Sequence, residues 1–353
     1  MTSSFASTMV NADASDGVSS RLSPAVPRFG HELCVAPMID VTDRHCRFFH
    51  RLLAPRAVLY SEMTTTGALR YGDQARHLNF NESEHPVALQ LGGSEPGELA
   101  YSARLGEKWG YDEINLNCGC PSERVQKGAF GACLMREAAL VADCIKTMQD
   151  AVSVPVTVKH RLGLDGTTDY GFVQDFVGKV HDVGCRVFVV HARHAILGGL
   201  SPKENREIPP LQYDMAAQLK ADFPDARFIL NGGLNTLEAC LQELSRFDGV
   251  MLGRAAWHDP GILGTLSVAM GHCDQIMPED QLIAAMTAYA HGQVEVGVPL
   301  RVVVKPMLGL FQGRRGARQW RRTLSDNAVL NSNNPEVIEQ AWSALREMAD
   351  QPV

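Results

Sequence analysis

Eight short runs of apolar and β-branched residues recur along this chain. They are Leu33–Met38, Ala57–Met63, Pro86–Leu91, Glu113–Asn117, Val154–Lys159, Val187–His191, Arg227–Asn231 and Gly249–Leu252. Their starts lie 22 to 41 residues apart, which leaves room for a helix between each pair. Helical patterns fill 95–108, 137–150, 169–183, 212–222 and 236–246. Strands that alternate with helices pair in parallel, because a parallel neighbour needs a crossover connection. Eight such units predict a (β/α)8 TIM barrel, with a doubly wound open sheet as the weaker alternative.

The flanks have a different texture. Residues 1–28 are rich in Ser, Ala, Asp and Val without periodicity and read as a disordered leader. They lack the continuous apolar stretch of a secretory signal, and Arg21 and Arg28 are too few for a mitochondrial presequence. The barrel is expected over 29–262 and a helical domain over 263–353. Segments 279–296, 305–322 and 333–348 look helical, the last opened by Asn334 as N-cap with Pro335 behind it.

Charge is distributed unevenly. The 353 residues carry a net charge of −7, yet Arg301, Lys305, Arg314, Arg315, Arg318, Arg321 and Arg322 fall in a 301–322 segment that holds no acid. A basic, Trp320-containing helix on an acidic body suggests contact with a polyanion; the plainer alternative is a solvated helix face. The nine cysteines form no CxxC pair, so a reducing cytoplasm is expected and a disulfide framework is not. Cys118 and Cys120 alone are too few for a structural zinc site, and no metal is expected. No run reaches the ~18 apolar residues of a membrane helix.

Polar residues appear where the apolar runs stop, at the end of a barrel where active sites are built. Asn231-Gly232-Gly233 and Gly253-Arg254 follow the seventh and eighth runs, where glycines let backbone N–H groups approach a phosphate and Arg254 adds a cation. Lys159 ends the fifth run. It suits a Schiff base, or a fixed charge for an anion such as a reduced flavin ring. Gln90 can both donate to and accept from the edge of a heteroaromatic ring. His191 follows three apolar residues and precedes Ala192-Arg193, an unusual setting for a core histidine. Gly119 and Pro121 fix a sharp exit around Cys120. An ordinary thiol, with pKa about 8.5, is mostly protonated at neutral pH, so Cys120 suits a general acid; a nucleophile remains open. Cys118 is expected to be a buried packing residue.

Taken in order, APMI at 36–39, QLGG at 90–93, NLNCGCP at 115–121, VKHRLG at 158–163, HAR at 191–193, NGG at 231–233 and GR at 253–254 resemble the tRNA-dihydrouridine synthases over about residues 30–330. EMTTTGAL at 62–69, SPKENREIPPL at 201–211 and the GRRGARQWRR run at 313–322 are similar to a bacterial subfamily, the A subfamily. The resemblance implies FMN in the barrel mouth, NADPH as reductant, and reduction of the C5=C6 bond of D-loop uridines at tRNA positions 20 and 20a. It implies that Pro37, Met38 and Ile39 line the flavin, that Gln90, Lys159 and His191 contact it, and that Asn231, Gly232, Gly233, Gly253 and Arg254 hold its phosphate end. Cys120 is implied as proton donor to C5, Asn117 as a contact to the uridine, and Lys203, Arg206, Arg315 and Arg318 as contacts to tRNA.

The residues agree with that picture at separate points. A uridine inside folded RNA must be extruded to reach a barrel mouth, and the contacts this needs outside the mouth match the basic segment. No GxGxxG is present, so NADPH is expected at the flavin itself, without a Rossmann domain. A cytoplasmic monomer with no membrane partner is expected. The rivals are a flavoenzyme acting on a free pyrimidine or small enone, an aldolase using Lys159, and a tRNA-binding protein whose Cys120 does no chemistry.

Overall fold

The computed structural model describes residues 29–167 and 169–350; the leader expected over 1–28 lies outside them. Eight parallel strands close into a barrel. They are β1 (Leu33–Val35), β2 (Val58–Tyr60), β3 (Val87–Gly92), β4 (Glu113–Cys118), β5 (Val156–Arg161), β6 (Val187–His191), β7 (Arg227–Asn231) and β8 (Gly249–Leu252). Each pairs with the next, and β8 pairs with β1 to close the ring. A two-residue strand, Thr64–Thr65, adds beside the end of β3. The open doubly wound sheet is thereby excluded.

Side chains alternate between the two faces of every strand, and the core splits accordingly. Leu89, Leu91, Ile114, Leu116, Val158, Phe188 and Val190 belong to the larger cluster, which packs under the surrounding helices. Cys34, Val58, Tyr60, Ala88, Val187, Val189, Ile229 and Met251 form a separate cluster inside the barrel. Cys118 is buried on the outer side, as expected, and all nine cysteines are free thiols.

The expected barrel helices are found at Pro96–Trp109, Ala138–Gln149, Tyr170–Asp182, Tyr213–Asp222 and Leu237–Leu244. Their starts follow local chemistry. Glu95 caps Pro96–Trp109 with a proline in the first turn, and Asp169 and Thr236 accept from backbone N–H groups in theirs.

Beyond the helix Gly261–Ala269 the chain is helical, with helices at Glu279–Glu295, Leu300–Val304, Ala317–Thr323, Asn327–Leu330 and Val337–Asp350. These helices share the outer hydrophobic core with the barrel. Tyr289 stacks on Phe48 at 3.8 Å between centroids and bonds His45 Nδ1 at 2.8 Å. The Asn334 side chain accepts from Glu336 N–H at 3.2 Å, in the turn that leads into the last helix.

The basic segment departs from expectation. Residues 305–322 are not one helix. A 3-10 turn at Lys305–Gly309 is followed by bends, and α-helix resumes only at Ala317. Gly313 and Gly316 take positive φ there, and a Cβ on Gly309 would stand 2.5 Å from the His258 carbonyl oxygen. Trp320 is fully buried, its indole N–H donating to Met307 O at 2.8 Å. It is therefore an anchor for this region, not an aromatic offered to a partner. The seven basic residues are all exposed. Among the described residues no helix is long and apolar enough to cross a membrane.

Candidate active site

The strand ends open onto a cavity of about 840 Å³, within the range of roughly 300–1,000 Å³ common for small-molecule sites. Pro37, Met38, Ile39, Gln90, Asn117, Cys120, Lys159, His191, Arg206, Asn231, Gly232, Gly233, Gly253 and Arg254 all line it. Lys203, Arg315 and Arg318 do not; they are exposed outside the mouth. A smaller hollow of about 310 Å³ lies at the opposite end of the barrel, beside Glu32 and Pro86.

The exit from β4 is built by Asn117. Its Oδ1 accepts from the backbone N–H of both Gly119 and Cys120, each at 3.0 Å. Cys120 O in turn accepts from Ala132 N–H at 2.9 Å, so the 3-10 turn Gly131–Arg136 backs the cysteine. Gly131 allows this approach: its φ is 78°, and a Cβ there would stand 2.6 Å from Cys120 O. The Cys120 thiol, partly accessible, lies 3.6 Å from Ser122 Oγ.

Lys159 Nζ donates to Asn231 Oδ1 at 2.9 Å, and Asn231 Nδ2 donates to Met251 O. Asn231 thus holds the lysine across two strands, a contact the sequence does not reveal. Protein surrounds the Lys159 ammonium on every side but the cavity. Desolvation there, with repulsion from Arg161, pushes it down to about 7. His191 is pushed well below its ordinary value by desolvation, then by Arg161, Lys159, Arg193 and Arg206. Several cations thus crowd one wall at mutual electrostatic cost. An anion placed there relieves that cost, so the donor set fits a phosphorylated or anionic ligand. Gly232 leaves space beside the same wall, since a Cβ there would stand 2.7 Å from the His191 ring. Arg254 pairs with Glu207 at the rim.

Some cavity residues were not anticipated from the sequence. Arg161 donates from Nε to Gly119 O at 3.1 Å and from Nη1 to Asn205 O at 2.9 Å, tying the Cys120 turn to the 201–211 loop. Its spacing of two from Lys159 on one strand is a signal for a shared face. Trp257, Ile262 and Gln312 also line the cavity. Gln312 comes from the C-terminal helical region, and Lys305 Nζ bonds Asp40 O at 2.6 Å, so that region reaches the mouth. No local pattern marks these residues.

Residues 34–347 match the family Dihydrouridine synthase (Dus). The chain is 53% identical over 321 residues to the tRNA-dihydrouridine(20/20a) synthase of Pseudomonas putida, covering 91% of this chain and 96% of that one. The enzyme of the same name from Pseudomonas aeruginosa is 53% identical over 312 residues, 88% of this chain and 94% of that one. That of Pasteurella multocida is 52% identical over 311 residues, with 88% and 94% covered.

Proposed function

This chain belongs to the dihydrouridine synthase family, and from that premise we propose that it reduces the C5=C6 bond of D-loop uridines 20 and 20a in tRNA, with FMN as cofactor and NADPH as reductant. The observation that carries this reading is the convergence of Gln90, Asn117, Cys120, Lys159 and His191, from four strands, on one cavity.

The cavity residues suit FMN. Pro37, Met38 and Ile39 form an apolar wall for the ring; Gln90, Lys159 and His191 meet its polar edge; Asn231, Gly232, Gly233, Gly253 and Arg254 take the phosphate end. When bound, FMN supplies the hydride that goes to C6. Lys159 holds a positive charge against the electron-rich ring. Cys120 gives its proton to C5 as general acid, fixed by the Asn117 tether, and Asn117 also faces the uracil. Hydride and proton together reduce the base, and the electrons come from NADPH, which leaves as NADP+. Lys203, Arg315 and Arg318 hold the RNA outside the mouth and Arg206 meets it within the cavity, where an extruded uridine enters. In this reading 29–262 binds the cofactor, 263–353 binds tRNA, and the enzyme works as a cytoplasmic monomer.

The test is one preparation of the purified protein. A flavin spectrum, bleaching by NADPH, and dihydrouridine in unmodified tRNA that is lost in Cys120→Ala would support the reading. A flavin that bleaches but leaves tRNA untouched would overturn it in favour of a small-molecule reductase.

A further inference from the structure

Glu113 lies on the floor of the barrel, fully buried, and three polar side chains converge on it. His31 Nε2 is 2.6 Å from its Oε2, while the Tyr60 hydroxyl at 2.8 Å and the Thr157 hydroxyl at 2.6 Å donate to its Oε1. From Thr157 a continuous line of hydrogen bonds climbs to the mouth. Thr157 Oγ1 accepts from Asn115 Nδ2 at 2.8 Å, Asn115 Oδ1 from Gln90 Nε2 at 2.8 Å, and Gln90 Oε1 from Asn117 Nδ2 at 2.7 Å. Asn117 Oδ1 completes it by accepting from the N–H groups of Gly119 and Cys120.

Both ends of this line have fixed polarity. Backbone N–H groups can only donate, so at the top Asn117 must present its oxygen to them. At the bottom the Thr157 hydroxyl gives its hydrogen to Glu113, so toward Asn115 it can only accept. The two constraints demand the same sense along the line, and each side-chain amide has one orientation that satisfies it. Reversing any one amide would place donor against donor and acceptor against acceptor inside the barrel, where unpaired groups are costly.

We infer that Glu113, Thr157 and Asn115 are positioning residues that set, from the barrel floor, the hydrogen-bond polarity of the active-site wall. Each of Gln90 and Asn117 spends its oxygen within the line and keeps a second amide hydrogen. The wall they form in the cavity therefore offers donors and reads a carbonyl acceptor on the bound ring. A pyrimidine-dione edge, which flavin and uracil share, has that chemistry. The ring's identity rests on the function proposed above; the wiring does not. The same line holds the backbone of Cys120, so floor, ring contact and proton donor form one unit.

Thr157→Val removes the hydroxyl and keeps the shape, while Thr157→Ser keeps the hydroxyl. The readouts are FMN affinity of the apoprotein by fluorescence quenching, alkylation of Cys120 by iodoacetamide followed on its tryptic peptide, and thermal melting. Thr157→Val is expected to weaken FMN binding by about ten-fold and to change the Cys120 alkylation rate several-fold, with Thr157→Ser restoring both. Should Thr157→Val fold poorly, the uncharged Asn115→Leu must produce the same pair of changes. Wild-type affinity and alkylation in Thr157→Val, or Thr157→Ser behaving like Val, would overturn the inference. If the wild-type protein takes up no FMN, the functional reading fails, and the alkylation rates alone decide the wiring.

Discussion

The barrel mouth and the basic C-terminal segment are both rich in positive charge, but they hold it differently. At the mouth, Lys159 and Arg161 are surrounded by protein, and burial depresses Lys159 to about 7 and Arg161 to about 10. In the 301–322 segment every cation is on an exposed residue, and the apolar side of that region is spent on anchoring, with Trp320 and Phe311 in edge contact at 5.0 Å. Charge in the mouth is costly until a ligand offsets it, so it suits a small anion. Charge on the surface is cheap and screened by salt, so it suits a large polyanion held by many weak contacts.

This contrast can be broken or sharpened experimentally. The largest effect is expected at the mouth: Cys120→Ala should lower dihydrouridine formation by about 100-fold or more, while NADPH still bleaches the flavin. Loss of bleaching as well would mean that Cys120 serves the cofactor.

Lys159→Met comes next, with FMN affinity expected to fall by about ten-fold. The lysine also gives a pH signature. Its folded pKa is depressed to about 7 from an ordinary 10.5. Between those values the unfolded chain binds the proton and the ligand-free folded protein does not. Stability of the apoprotein therefore rises with pH across that window, and this contribution is lost as pH falls toward 7. An anionic ligand restores the charge. FMN binding near pH 8.5, a value set at about the middle of that window, should take up protons in wild type and fewer in Lys159→Met. Calorimetry in buffers of different ionisation enthalpy measures this; equal uptake in both proteins would remove Lys159 from the anion site.

On the surface, Arg318→Glu should weaken tRNA binding by about five-fold and flatten the salt dependence by about one contact, with FMN affinity unchanged. The smallest effect on tRNA is expected for Trp320→Phe. It loses the bond to Met307 O and should cost about 1–2 kcal/mol of stability, seen as a lower melting temperature, yet leave tRNA affinity at the wild-type level. A Trp320→Phe protein that melts normally but binds tRNA poorly would mean that the indole meets RNA after all.

Much of the barrel was readable in advance because each strand announces itself locally. In β4 the order Glu113-Ile114-Asn115-Leu116-Asn117-Cys118 alternates polar and apolar, and the polar set is the one that lines the interior. Polar residues at the ends of β3, β5 and β6 were visible for the same reason. The 305–322 segment was not legible in the sequence because helical periodicity and charge carry no record of where the backbone turns. Gly309, Gly313 and Gly316 break it through close approach and positive φ, which tertiary packing imposes.

The sequence by itself determined the number and order of strands, the residues at their ends and the uneven charge, since period, turn chemistry and composition act over a few neighbouring residues. Only the tertiary structure decided which of those residues act together. Lys159 meets Asn231 across 72 positions and Lys305 meets Asp40 across 265. Glu113 reaches Cys120 through residues of three strands. Closing the barrel puts these side chains within hydrogen-bonding distance and out of water, where a bond left unmade is expensive enough to fix their orientation.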